Sequence, residues 1–118
     1  MADSYQDLIV WKTAMRLCVE VYQLTAAFPD AEKFGLTNQL RRAAVSIPSN
    51  IAEGYGRMTK GEYKQFLGMA RGSTFELQTQ LKISADLKFG DDRLRQTALA
   101  PSDEISKMLY AILKKLNA

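Results

Sequence analysis

Residues 41–57 read RRAAVSIPSNIAEGYGR, and the fold turns on whether this stretch is a helix or a loop. Ala44, Ile47 and Ile51 follow Leu40 at spacings of three and four, the period of a helical face. Pro48 sits in the middle of them. A proline inside a helix removes one hydrogen bond and crowds the preceding turn, at a cost of ~3 kcal/mol or more. The apolar stripe nevertheless passes Pro48 without losing phase, so the segment is predicted to be a helix kinked at Pro48. Ser46 and Ser49 flank the proline and are placed to serve the backbone groups it frees. This helix is expected from Leu36 to Tyr55, ending in a glycine cap in which Gly54 or Gly56 takes the left-handed conformation.

The chain on either side has the same period. From Asp7 to Phe28 there are two adjacent stripes: Leu8, Trp11, Met15, Cys18 and Tyr22, and then Val10, Ala14, Leu17, Val21, Leu24 and Phe28. Together they cover about half the helix circumference, whereas roughly 100° suffices to face a core. The surplus width points to self-association. Downstream, Thr59 and Glu62 make a capping box for a third helix that runs to about Phe89. Gly68 and Gly72 lie within it and are expected to mark a close approach to a neighbouring helix. A fourth helix either begins near Asp91 and bends at Pro101, or begins at Ser102 with Asp103 and Glu104 at its positive end. In both cases Ile105, Met108, Leu109, Ile112, Leu113 and Leu116 form its buried stripe. No strand signal occurs. The expected architecture is all-α: one domain over residues 1–118, an antiparallel up-and-down four-helix bundle.

Composition narrows the function. The chain has no histidine and one cysteine, which excludes His-based zinc sites, Ser-His-Asp triads and a Cys-rich metal site within one copy. No apolar run is long enough to span a bilayer, and the first residues lack a secretory pattern, so a cytoplasmic location is expected. The net charge is +3, unevenly spread. Residues 33–71 carry seven cationic side chains against two carboxylates, an excess of five, and the remainder is net −2. Such a segment attracts phosphate or an acidic partner. Its candidate contacts are Arg41, Arg57, Lys60, Lys64 and Arg71, joined by Lys12 and Arg16 if the polar face of the first helix lies alongside.

A polar stripe runs beside the core stripe of the second helix: Arg42, Ser46, Asn50, Glu53 and Arg57. Ser73 and Glu76 of the third helix are placed to join it. Three roles fit these residue types. Glu53 and Glu76 have the chemistry of an acid–base pair or of bundle metal ligands, although di-metal bundles also use histidine. The arginines would suit phosphate. The simplest role is a structural network of Arg42, Ser46, Asn50, Glu53, Ser73 and Glu76 that fixes helix register. The glycines of EGYGR match neither a phosphate loop nor a dinucleotide fingerprint, and Cys18 reads as a small buried hydrophobe.

The runs QLRRAA, SIPSNIAEG and STFELQTQL, with Gly35-Leu36 ahead of them, resemble the 23S rRNA intervening-sequence protein family. The likeness covers nearly the whole chain and is weakest over residues 90–104. It implies an up-and-down bundle that assembles as a homopentameric ring, some members being encoded within inserts of bacterial 23S rRNA genes. A related group, the accessory proteins of diversity-generating retroelements, forms similar basic rings that work with a reverse transcriptase. The resemblance carries no catalytic residue and no cofactor. The expected function is non-enzymatic binding of RNA or DNA through repeated basic surface, without sequence readout. The alternative is a protein–protein scaffold for a polymerase or a ribosome-associated partner.

Overall fold

The computed structural model describes residues 3–117. A single 3-10 turn, Tyr5–Asp7, leads into α1 (Ile9–Thr25), and a second, Asp30–Glu32, leads into α2 (Leu36–Tyr55). These are followed by α3 (Lys60–Asp86) and α4 (Asp92–Asn117), with no strand among the described residues. α1 packs against α2 and α4, and α3 packs against the same two helices, as up-and-down packing requires. At ~1.5 Å per residue, α3 is about 40 Å long, close to the 43 Å long axis of the molecule.

The two stripes of α1 separate. Val10, Ala14, Leu17, Val21, Leu24 and Phe28 are buried with Leu40, Ile47, Ile51, Leu67, Leu77, Leu81, Ile105 and Leu109 in one core. Of the other stripe, Leu8, Trp11 and Cys18 are half-buried, whereas Met15 and Tyr22 are 42% and 44% exposed.

Helix α2 is continuous through Pro48. Proline has no N–H, so the carbonyl four residues back, that of Ala44, loses its helical donor. The replacement is neither Ser46 nor Ser49 but Cys18, whose thiol donates to the Ala44 carbonyl at 2.9 Å. Cys18 is thus more than a packed hydrophobe: it satisfies from α1 the acceptor that Pro48 leaves open in α2. Burial pushes its pKa up to about 11, which keeps it a thiol and a donor at neutral pH.

The turns are fixed by local chemistry. Glu32 accepts from the Leu36 N–H at 3.0 Å and starts α2. Thr59 accepts from the Glu62 N–H at 3.1 Å and starts α3, as the capping-box pattern predicts. Asp91 accepts from the Leu94 N–H at 3.0 Å, so α4 begins at Asp92 and carries Pro101 in its interior. The start at Ser102 is ruled out. Between α3 and α4 the chain reverses through Lys88 at φ 60° and Gly90 at φ 78°. Arg95, 2% exposed, braces this reversal by donating to the Ser84 hydroxyl at 3.0 Å, to the Phe89 carbonyl and to Asp92.

Two expectations about glycine are corrected. Neither Gly54 nor Gly56 is left-handed: Gly54 is buried within α2, and Gly56 sits at φ −80°. Gly68 and Gly72 mark no close approach, since a Cβ at either would meet nothing within 4 Å. The close approach is at Gly54, where a Cβ would lie 2.8 Å from Cβ of Phe66. No helix among the described residues is long and apolar enough to cross a membrane.

Candidate nucleic-acid interface

The polar stripe of α2 closes a contact with α3 through its small members. The Ser46 and Ser73 hydroxyls are 2.8 Å apart, and Asn50 donates to both the Ser46 hydroxyl (2.9 Å) and the Ser46 carbonyl (2.8 Å). Arg42, Glu53 and Glu76 are exposed and form no hydrogen bond or ion pair among the described residues. Nor do any three carboxylate or cysteine side chains there converge as a metal site would need.

The candidate cations occupy separate places. Arg57, Lys60 and Lys64 lie at the α2–α3 turn, where Arg57 sits over the Phe66 ring (4.6 Å) and 3.8 Å from Glu62. Arg71, on α3, lies between the rings of Phe75 (4.9 Å) and Tyr110 (5.1 Å), with Nε 3.4 Å from the Ser106 carbonyl. It lines an open depression of about 230 Å³ with Ser106, Lys107 and Tyr110. Lys12 and Arg16 stand on the solvent side of α1, and Arg16 Nε is 3.5 Å from Glu20. Burial pushes the Glu20 carboxyl above its usual pKa, and the Arg16 charge only partly opposes this.

Arg41 is held most firmly. Its Nε donates to the Thr25 hydroxyl at 2.9 Å, and its guanidinium lies 4.4 Å from the centre of the Tyr22 ring. With Arg42, Asn38, Val45 and Ser46 it lines an open depression of about 510 Å³. This depression adjoins an apolar groove of about 340 Å³ along α1 and α2, lined among others by Trp11, Met15, Cys18, Val45 and Pro48. Val45 belongs to both.

The aromatic partners of the arginines went unnoticed in the sequence. The i,i+4 spacing of Arg71 and Phe75 carries a readable signal. Tyr22 with Arg41, and Tyr110 with Arg71, meet only through the tertiary fold.

Residues 6–111 match the family described as 23S rRNA-intervening sequence protein. The fold is similar to the crystal structure of a protein of unknown function from the S23 ribosomal protein family of Bacteroides thetaiotaomicron. That similarity has a TM-score of 0.80 at 20% identity and covers 90% of this chain and 99% of the other. No curated protein matches this chain.

Proposed function

This chain belongs to the 23S rRNA-intervening sequence protein family, and from that premise we propose that it is a non-enzymatic, self-assembling cytoplasmic bundle that binds RNA or DNA through repeated basic surface. One observation carries the reading: two of the candidate arginines, Arg41 and Arg57, each sit over the face of an aromatic ring, Tyr22 and Phe66 respectively. Guanidinium groups backed by aromatic faces suit phosphates and unstacked bases together, without sequence preference.

Assembly is supported by two different apolar patches on opposite sides of the bundle. The groove along α1 and α2 exposes Met15 and Val45, and the α3–α4 side exposes Phe75 (43%) and Tyr110 (53%). Unlike patches that cover each other make head-to-tail contacts, which give a ring where the rotation from copy to copy closes. In this reading α2 bends at Pro48, which opens the groove. A homopentamer would carry about +15 from copies of +3 each, and a patch too weak alone becomes effective through multivalency.

The test is a titration of labelled single-stranded RNA at about 50 mM and about 200 mM salt. Affinity should fall steeply between them, because each neutralised phosphate releases counterions. No binding at the lower salt, or binding indifferent to salt, refutes the reading. The second reading, a protein scaffold, draws on the same groove and predicts partner capture that survives nuclease treatment.

A further inference from the structure

We infer that the depression between α1 and the first half of α2 is a phosphate-binding site whose donors are Arg41 and Arg42. The identity of its natural ligand rests on the nucleic-acid reading above; the site itself rests on local geometry.

Arg41 is fixed on two sides before any ligand arrives. Its Nε is bonded to the Thr25 hydroxyl, which in turn donates to the Val21 carbonyl at 2.8 Å. The face of its guanidinium is covered by Tyr22. That leaves Nη1 and Nη2, which pair with no side chain among the described residues. A guanidinium already ordered loses little further freedom on binding, and its planar fork matches the oxygens of a phosphate. Arg42 follows in the chain, is exposed and is likewise unpaired. Asn38 and Ser46, four residues before and after Arg42, bring a side-chain amide and a hydroxyl to the same wall.

The lining contains no carboxylate. By contrast, Arg16, Arg57 and Arg95 each lie within 4 Å of a Glu or Asp. The depression is open, about 510 Å³, and the Tyr22 ring adds an apolar wall beside the donors. The geometry therefore favours a phosphate that carries a sugar and a base. A phosphodiester of single-stranded nucleic acid has that chemistry, and a nucleoside monophosphate is its smallest form.

The experiment follows the Nε–H signal of Arg41 by NMR while inorganic phosphate, adenosine monophosphate or a single-stranded RNA oligonucleotide is added at constant ionic strength. The signal should shift saturably with all three, most tightly with RNA and least with inorganic phosphate. Arg42→Gln, at an exposed position without a hydrogen bond or ion pair among the described residues, should keep the fold and weaken each affinity about 5- to 10-fold. Arg41→Lys, which removes the Nε–H signal and is titrated calorimetrically instead, should weaken binding similarly despite the retained charge. Lys82→Gln, at an exposed position of α3 away from the depression, should leave phosphate and adenosine monophosphate binding unchanged. If phosphate and adenosine monophosphate saturate the site while RNA does not bind, the site stands and the nucleic-acid reading fails. If RNA binds wild type and Arg42→Gln equally, and the two small probes give no saturable shift, the site is overturned and the nucleic-acid reading survives.

Discussion

Removing the thiol of Cys18 should destabilise the bundle, and it should do so because of Pro48. Ala44 is fully buried, and Cys18 supplies the donor to its carbonyl. Leaving a buried acceptor unpaired costs about 1–3 kcal/mol. Cys18 lines the groove, so water can reach part of the space vacated by Cys18→Ala. The expected loss is therefore in the lower half of that range, about 1–2 kcal/mol. In a Pro48→Ala background the N–H of residue 48 returns to the Ala44 carbonyl, and the thiol becomes redundant. The four proteins of the cycle, unfolded by urea at one protein concentration, should show a coupling of about 1 kcal/mol between positions 18 and 48. A common concentration keeps mass action from adding differences of its own among the four. Additivity within about 0.3–0.5 kcal/mol would refute the link between the two residues.

The same thiol gives a pH dependence. Its pKa rises from 9.0 to about 11 on folding, so its stabilisation is complete below about 9 and is lost as pH climbs through about 11. The stability difference between wild type and Cys18→Ala, measured by denaturation across that window, should shrink; a constant or growing difference contradicts the assignment. Arg95→Met leaves the Ser84 hydroxyl and the Phe89 carbonyl without their shared donor and should cost about 2–4 kcal/mol. Asp92→Ala, at a side chain 95% exposed, should cost under about 1 kcal/mol; urea midpoints for the pair that fall equally would show that Arg95 is not the brace. Gly54→Ala should destabilise by about 1–3 kcal/mol through its clash with Phe66, whereas Gly68→Ala, in open space, should stabilise by up to ~1 kcal/mol. Thermal midpoints moving in the same direction for both would refute this contrast.

Local and periodic features were legible in the sequence. The limits of α2 follow from the phase of Leu40, Ala44, Ile47 and Ile51, and the start of α3 follows from Thr59 and Glu62, because both depend on neighbours within one turn. Which stripe of α1 faces the core did not follow, since both are apolar and only packing against α2 and α4 separates them. The pairing of Cys18 with Ala44 was hidden for a related reason: it joins residues far apart in sequence, and a proline announces the donor it lacks but not what replaces it. Nothing within GDDRLRQ marks Arg95 as buried; the left-handed turn at Lys88 and Gly90 brings the Phe89 carbonyl back to it. The glycine expectations failed because a sequence shows that a Cβ is missing but not what would have occupied its place.

The mass of the particle in solution is the most direct test of the account, because the proposed ring would both cover the groove and repeat the basic surface. Light scattering at micromolar concentration should give about five times the 13.2 kDa of one chain, and Val45→Glu, which places a charge in the groove, should reduce it. A wild-type mass of 13.2 kDa would contradict the account.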